Sequence, residues 1–276
     1  MDFRYERFNT IYDFEKALNT REVNSAHKKR GERSHDDEID FFETKSYSEA
    51  EEFLDKGWNT EVAEIERELK KFMGSINIKK NRQIKSPVGY APCVANAIRG
   101  VPKSMFATQT VKVKKRNHIH LILNNTTSGD VKGSTLLKAG MTVLKLAVVL
   151  DRMGVRTKID VIPKISWNHE KAVYGCSVGI KDYRQPLNIS KIAYPVAHPS
   201  FFRRHGFRYF ETLENYDPSF AENYGQSLMY VPKEISDAYI KFAGFMEDDV
   251  VYINFGDCEN AGFDYAKLAE NKGIAL

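Results

Sequence analysis

Three side chains that carry oxygen atoms, those of Asn124, Thr126 and Ser128, alternate directly after the apolar run His118–Leu123. In open α/β sheets, ligands bind beyond the carboxyl ends of the strands, near the point where the strand order reverses. Amide and hydroxyl oxygens can bind a hard cation such as Mg²⁺, although that ion usually takes one or two carboxylates as well. Because these three positions carry no carboxylate, we expect at most weak magnesium binding and no tightly held metal. The same residue types also form turns that cap helices, so this second interpretation stays open.

A second group of candidate residues lies between positions 198 and 208 and contains His198, Arg203, Arg204 and Arg208. A guanidinium group binds phosphate or carboxylate through two parallel hydrogen bonds, and Arg204 and Arg208 would share one face of a helix. The segment therefore predicts an anion-binding site. The alternative is structural: His198 begins a helix, and the arginines pack over neighbouring aromatic rings.

Two basic runs form the third candidate, and together they predict contact with the phosphates of a nucleic acid. The formal net charge of the chain is only +4, which is weaker than is usual for a protein that stays on DNA. Lysines at a strand edge also discourage aggregation, so nucleic-acid binding is one of two interpretations. The first run contains Lys79, Lys80, Arg82 and Lys85, and the second contains Lys112, Lys114, Lys115 and Arg116.

Familiar catalytic patterns are missing from the sequence, and we therefore expect no enzyme activity. The chain lacks the phosphate-binding loop of NTPases, the glycine fingerprint of dinucleotide-binding folds, the serine elbow of α/β hydrolases and the zincin helix.

The three cysteines, Cys93, Cys176 and Cys258, are far apart, which favours a reducing compartment over a disulfide framework. The longest apolar run, Met141–Leu150, is interrupted by Lys145 and is too short to cross a bilayer. Since no signal peptide is visible either, we expect a cytoplasmic protein without a membrane segment.

The order of the predicted elements indicates an α/β fold, with a mostly parallel open sheet that is covered by helices on both faces. We expect three regions: a polar, partly flexible N-terminal segment (1–45), a helical pair with an extended connector (46–105) and the α/β domain (106–276). The central element is a long helix from Ser134 to about Met153.

Local patterns predict four further features of these regions. Each depends on a cap, a turn or an alternation of apolar residues. The features are a capping box at Ser48–Glu51, an antiparallel hairpin of Thr108–Lys114 with His118–Leu123, an antiparallel pair of Arg156–Ile162 with Lys171–Ile180, and a short buried strand at Leu228–Val231.

The loop at Asn124 and its flanking elements resemble the von Willebrand A fold over about residues 108–272. The first strand of that fold ends in Asp-x-Ser-x-Ser, which supplies a carboxylate and two hydroxyls to a bound magnesium ion. Asn124, Thr126 and Ser128 occupy these positions here. The resemblance also implies an acid after the fourth strand, and Glu234, shortly after Val231, is the only acid near that position. With asparagine in place of aspartate, the resemblance implies a degenerate ion loop that serves as a contact surface.

Three further segments of the sequence are distinctive, namely Ser46–Ala50 with Gly57–Trp58, Gly89–Pro92 with Gly100–Met105, and Ala197–Arg204. They resemble an uncharacterised protein family encoded by phages and prophages. This resemblance implies an intracellular role in the host cytoplasm during infection. Together, the two resemblances imply a non-enzymatic adaptor or interaction module whose partner is an AAA+ ATPase or a phage assembly component. A nucleic-acid-binding protein and a component of the virion are the alternatives.

Overall fold

The protein contains one large and one small β-sheet, seen in a computed structural model. The structure describes residues 1–24, 39–58, 67, 82–109, 118–168, 171–213, 224–247, 249–274 and 276. The described strands are β1 (Asp2–Phe8), β2 (Arg82–Ser86), β3 (Ala91–Pro92), β4 (Met105–Gln109), β5 (His118–Asn124), β6 (Arg156–Asn168), β7 (Ala172–Lys181) and β8 (Val250–Asn254).

The large sheet has the strand order β1-β7-β6-β5-β8. The central strand β5 pairs in parallel with β6 on one side and with β8 on the other. As predicted, β7 runs antiparallel to β6, and β1 then pairs in parallel with β7 at the edge of the sheet. The structure thus confirms an α/β fold with a mostly parallel sheet.

Helices flank both faces of this sheet. Successive residues of a strand point to opposite sides, so β5 contributes side chains to a hydrophobic core on each face. Ile119, Leu121 and Leu123 belong to the larger hydrophobic core, whereas Ile122 packs in a smaller core with Tyr239. A π-helical turn and a 3-10 turn interrupt the helical layer at Phe201–His205 and Leu228–Tyr230. The described helices are α1 (Ile11–Thr20), α2 (Ile39–Phe42), α3 (Tyr47–Lys56), α4 (Val94–Ile98), α5 (Gly133–Arg152), α6 (Ile189–Ala197), α7 (Gly206–Glu211), α8 (Lys233–Phe242), α9 (Phe255–Asn260) and α10 (Tyr265–Asn271).

The long predicted helix is α5, which contributes many of the buried side chains of the larger core. It ends just before Gly154, whose φ of +77° favours glycine. By length and hydropathy α5 would suffice to cross a membrane, but 67% of its apolar window is buried inside the protein. Burial in the core therefore accounts for its apolar composition.

Two of the predicted strand assignments were wrong. β5 does not form a hairpin with the strand before it, because β6 and β8 occupy both of its edges. β4 pairs instead with β2 and β3 in the small sheet, and residues 110–117 lie outside the described part of the chain. Leu228–Tyr230 forms a 3-10 turn capped by the hydroxyl of Ser227. The strand that flanks β5 on its second side is therefore β8, about twenty residues further along the chain.

The N-terminal region contains a regular strand that its polar composition did not predict. Residues Asp2–Phe8 add to the large sheet beside β7, so this part of the segment 1–45 belongs to the α/β domain. An edge strand pairs on one side only, and it tolerates charged side chains that point to solvent. The charged residues of β1 therefore hid its strand character.

Helix α3 begins two residues earlier than the predicted capping box. The hydroxyl of Ser46, not that of Ser48, accepts a hydrogen bond from the amide of Glu49, and the Glu49 carboxylate accepts one from the amide of Lys45 at 2.5 Å. The helix stops at Gly57. The second helix of the predicted pair falls on residues 59–74, of which the structure describes only position 67.

A buried polar network attaches α3 to the larger core. Nδ1 of His198 lies 2.7 Å from Oγ of Ser200, and the Tyr194 hydroxyl lies 2.9 Å from that oxygen and 3.0 Å from Nε2 of His205. The same nitrogen of His205 lies 3.2 Å from the carbonyl oxygen of Ala50 in α3. Burial lowers the pKa of His198 to about 3 and that of His205 to about 4. Both imidazoles are therefore neutral at physiological pH.

We expect this network to make the protein sensitive to mild acid. The unfolded chain takes up protons at its histidines near pH 6.5, whereas the folded state resists protonation until pH 3–4. The free energy of unfolding should thus fall below pH 6.5, by at most about 1.4 kcal/mol per pH unit for each histidine. Urea unfolding at pH 7.5, 6.0 and 5.0 measures this slope. His205→Gln should reduce it, while His118→Gln, at an exposed position, should not. A stability that is constant over this range would contradict the network.

The contact between α5 and α6 depends on the missing side chain of Gly140. A Cβ atom at this position would lie 2.3 Å from Cα of Ala197 and 2.6 Å from the carbonyl oxygen of Val196. Gly140→Ala should therefore force the helices apart and lower the free energy of unfolding by roughly 1–3 kcal/mol. Gly129→Ala is the control, because its nearest neighbour atom would lie 4.0 Å away. Equal stability of the two variants in urea unfolding would show that the helices separate without cost.

Candidate functional site

A cavity of about 590 Å³ opens at the carboxyl end of β5. β5 ends at Asn124, which is level with Ile162 of β6, and β6 continues to Asn168. The overhanging part of β6 contributes Lys164 to the cavity wall. The cavity thus lies where open α/β sheets bind their ligands. The other wall residues include Phe41, Asn125, Thr126, Thr127, Ser128, Gly129, Asp130, Phe202, Arg203, Phe207, Gln226, Ser227 and Tyr230.

Of the three predicted loop residues, Thr126 and Ser128 line the cavity, and Asn124 does not. Asn124 is 1% exposed. Its Oδ1 atom accepts hydrogen bonds from the amide and the hydroxyl of Thr126, at 3.0 and 2.6 Å. Its Nδ2 atom donates to the hydroxyl of Tyr252 in β8 at 2.7 Å. Asn124 therefore fixes the loop against the neighbouring strand and has no free oxygen directed at a ligand.

The cavity wall does not fit a magnesium ion. The hydroxyl of Ser128 donates to the carboxylate of Asp130 at 3.1 Å, and Asp130 is exposed at the rim. Lys164 and Arg203 line the same cavity, and their positive charges oppose the entry of a divalent cation. We therefore expect no magnesium to bind at this loop.

Glu234, the acid that the resemblance placed near this loop, does not line the cavity. It is exposed in the first turn of α8. Asp257 instead follows β8, the strand that flanks β5. Its carboxylate accepts a hydrogen bond from the amide of Asn254 at 2.8 Å and pairs with Lys272 at 2.6 Å. Asp257 thus caps α9 and is already neutralised.

Lys164 is the most unusual residue of the cavity. It is 8% exposed, and within the described part of the chain its ammonium group has no hydrogen bond or ion pair. Its Nζ atom lies 4.9 Å from the ring centroid of Phe207 and 5.7 Å from that of Phe210. Burial, with a smaller contribution from the charge of Arg203, lowers the pKa of Lys164 to about 7. A buried cation without an anionic partner is costly, and an anion in the cavity would remove that cost.

Arg203 is the second cation of the wall, and it also holds the cavity together. Its guanidinium donates to the carbonyl oxygen of Phe41 at 2.7 Å and to those of Ser128 and Val131, and it stacks 3.8 Å from the ring centroid of Phe41. Burial lowers the pKa of Arg203 to about 10, while Glu43 acts in the opposite direction. Arg203 therefore joins α2 to the loop after β5.

Two further polar atoms at the cavity have no partner within the described residues. They are Oγ1 of Thr127 and Oδ1 of Asn125, both buried. Buried polar atoms are nearly always hydrogen-bonded to protein, water or ligand. The ammonium group of Lys164 and the hydroxyl of Thr127 can both donate to an anionic group, whereas the carbonyl oxygen of Asn125 can only accept a hydrogen bond.

The remaining residues of the predicted anion site are structural and lie outside the cavity wall. Arg204 donates to the hydroxyl and the carbonyl oxygen of Thr44, at 2.6 and 2.7 Å, and stacks on Phe42. Arg208 lies 3.6 Å from the carboxylate of Glu211, and His198 belongs to the buried network described above. Arg203 and Arg204 thus attach the segment around α2, and both are buried.

The two predicted basic runs lie mostly beyond the described residues. Lys85 is exposed on β2, and Arg82 begins that strand. Lys79, Lys80, Lys112, Lys114, Lys115 and Arg116 are outside the described part of the chain.

Comparison with known proteins gives one match. The model of the family described as Domain of unknown function (DUF7192) matches residues 4–269. The chain belongs to this family. No curated protein and no solved structure matches it. The family match spans β1 to α10, so the edge strand, the cavity and the small sheet all fall within one family unit.

We expect Lys164→Met to stabilise the protein. Methionine fills the volume of the lysine stem without a buried charge, and removing unfavourable buried ionic groups is typically worth about 1–4 kcal/mol. Because the folded-state pKa of Lys164 lies near 7 and the unfolded value near 10.4, the wild type should gain stability from pH 7 to pH 9. The slope is at most about 1.4 kcal/mol per pH unit.

Urea unfolding of the wild type and the variant at pH 7, 8 and 9 measures both effects. Lys138→Met, the same change at an exposed position of α5, should alter neither the stability nor the slope. A destabilised Lys164→Met variant that keeps the wild-type slope would show that Lys164 is already paired in the folded protein.

Proposed function

We propose that this protein is a non-catalytic interaction module that recognises an acidic side chain of a protein partner in the cavity at the end of β5. The observation that carries the proposal is Lys164, a buried cation without an anionic partner within the described residues. A carboxylate that enters the cavity would form a charge-assisted hydrogen bond with it, in an environment where such bonds are strong.

The cavity also has the size and lining that recognition of a side chain requires. Its volume of about 590 Å³ falls within the range of ligand pockets. Phe202 and Phe207 provide apolar walls, while Thr127 offers an unpaired hydroxyl that can donate to a carboxylate. Specificity would follow from the charge, because an amide in place of the carboxylate leaves Lys164 buried without compensation.

The wider role that we propose comes from the two resemblances in the sequence. The von Willebrand A fold binds partners through the loops at the carboxyl end of its sheet, and the order β7-β6-β5-β8 with an antiparallel β7 is consistent with it. We propose that the protein acts in the host cytoplasm as a phage-encoded adaptor. Its partner would be an AAA+ ATPase or a phage assembly component. This role is proposed by analogy with the fold, and the capture experiment below tests it.

The proposal predicts that partner binding depends on the charge of Lys164. Affinity capture from host cells that express the phage genes should use the wild type, Lys164→Met and Lys138→Met as baits. A partner retained by the wild type and by Lys138→Met should be depleted at least tenfold with Lys164→Met, about 1.4 kcal/mol or more. Peptides from that partner should then bind the wild type with Asp or Glu, and fail to bind with Asn or Gln.

Two outcomes would contradict this function. Equal capture by the wild type and Lys164→Met, or no specific partner at all, would exclude recognition at the cavity. A covalent adduct between Lys164 and a carbonyl compound, trapped with borohydride and identified by mass spectrometry, would identify the lysine as a catalytic nucleophile.

A further inference from the structure

The small sheet lies in a part of the chain from which acidic residues are missing. Residues 69–129 contain twelve lysines and arginines and no aspartate or glutamate. The rest of the chain carries 29 basic and 37 acidic residues. The basic character of the protein is therefore confined to this part, which includes the whole small-sheet module (residues 82–109).

The module exposes both charges and an aromatic ring. Lys85, Arg99 and Lys103 are exposed, and Tyr90 is 65% exposed. An aromatic side chain that is more than half exposed contributes little to a core, but its face is free to stack against a flat ligand. Exposed Val88 and Ile98 add apolar surface beside the charges.

Hydrogen bonds hold several of these groups close together around β4. The side-chain amide of Gln83 donates to the hydroxyl of Tyr90 at 2.6 Å, which fixes the outer end of the ring. Lys85 donates to the side-chain carbonyl of Asn96 at 3.5 Å, and Asn96 donates to the main-chain carbonyl of Lys103 at 3.0 Å. Gln83 and Lys85 are two residues apart on β2 and therefore point to the same face, which brings Tyr90 and Lys85 to one surface. Arg99 follows Asn96 by three residues at the end of α4, so it lies on the side of that helix that carries Asn96.

We propose that this surface of the small-sheet module binds single-stranded nucleic acid, with Lys85, Arg99 and Lys103 at the phosphates and Tyr90 stacked on a base. Proteins that bind single strands without sequence preference combine a positively charged surface with exposed aromatic rings. The absence of acidic residues removes the repulsion that phosphates meet elsewhere on this protein. Unpaired bases are required, because stacking on Tyr90 needs a free base face.

The site is independent of the cavity at the end of β5, and the two can be tested separately. Fluorescence anisotropy of the full chain with a labelled 20-nucleotide oligo(dT) and its RNA equivalent, from 50 to 200 mM NaCl, measures affinity and salt dependence. The triple variant Lys85→Gln, Arg99→Gln, Lys103→Gln should bind at least tenfold more weakly, and the slope of log affinity against log salt should fall by about 2. Lys164→Met should leave this binding unchanged.

Matched variants identify the role of each group. Tyr90→Ala should weaken binding at least about fivefold, as expected for the loss of one stacked base, whereas Tyr90→Phe keeps the ring and should bind like the wild type. The charge control is Lys233→Gln, Lys241→Gln, Lys267→Gln, which removes three exposed charges outside the module and should have little effect.

Three results would overturn the proposal. They are the absence of any complex at 50 mM NaCl, an equal loss of binding in the two triple variants, and an unchanged affinity of Tyr90→Ala. Binding to vesicles of 30% anionic lipid, without binding to either oligonucleotide, would assign the surface to a membrane instead.

Discussion

The unequal lengths of β5 and β6 determine the shape of the candidate site. β5 has seven residues and β6 has thirteen, and the two strands start level at His118 and Arg156. The carboxyl half of β6 therefore extends past the end of its neighbour and leaves a recess that β5 does not fill. The loop after β5 folds over one side of this recess, and the π-helical turn covers another. Lys164 is buried because it lies on the overhang, within a strand that continues beyond it.

A buried lysine in such a recess requires the surrounding structure to be rigid, because a flexible wall would let water in and solvate the charge. The rigidity comes from hydrogen bonds to main-chain carbonyls. Arg203 joins the carbonyl groups of Phe41 and Val131, and Arg204 holds Thr44. The oxygens of Phe41, Val131 and Thr44 that accept these bonds are uncharged, so the bonds themselves place no anion beside Lys164. Removing either would release the segment around α2, and removing Arg203 would also change the charge of the wall.

Elements with a strong local pattern could be predicted from the sequence. The helix α5 and the antiparallel pairing of β6 with β7 were predicted correctly from apolar periodicity. The predicted end of β6 at Ile162 was wrong, because the strand continues to Asn168. β1 could not be predicted, because its charged residues are also typical of a loop. An edge strand tolerates such residues where they point to solvent. The wrong strand prediction at Leu228 also placed Glu234 near the loop after β5. The strand that pairs with β5 on that side is β8.

The candidate site could be located from the sequence, but its chemistry could not. The loop Asn124–Ser128 predicts the position of the site, because turn residues that follow a central strand lie at the ligand-binding edge of the sheet. The sequence does not mark Lys164 as buried, because a single lysine in an apolar stretch such as Val161–Trp167 usually points to solvent. Only the packing of Phe207 against it, from a segment forty residues later, distinguishes a buried cation from an exposed one.

The two proposed anion-binding surfaces differ in the physical origin of their selectivity. At the small sheet the charges are exposed, so their attraction for phosphate is long-ranged but screened by salt, with a Debye length of about 8 Å at physiological ionic strength. At the cavity the charge is shielded from water and ions, so its attraction acts only on a group that enters and is little affected by salt. An exposed surface of this kind favours extended polyanions with many weak contacts, whereas a cavity favours one anionic group of the right shape. On these two proposals, a nucleic acid and a protein partner would not compete for the same charges.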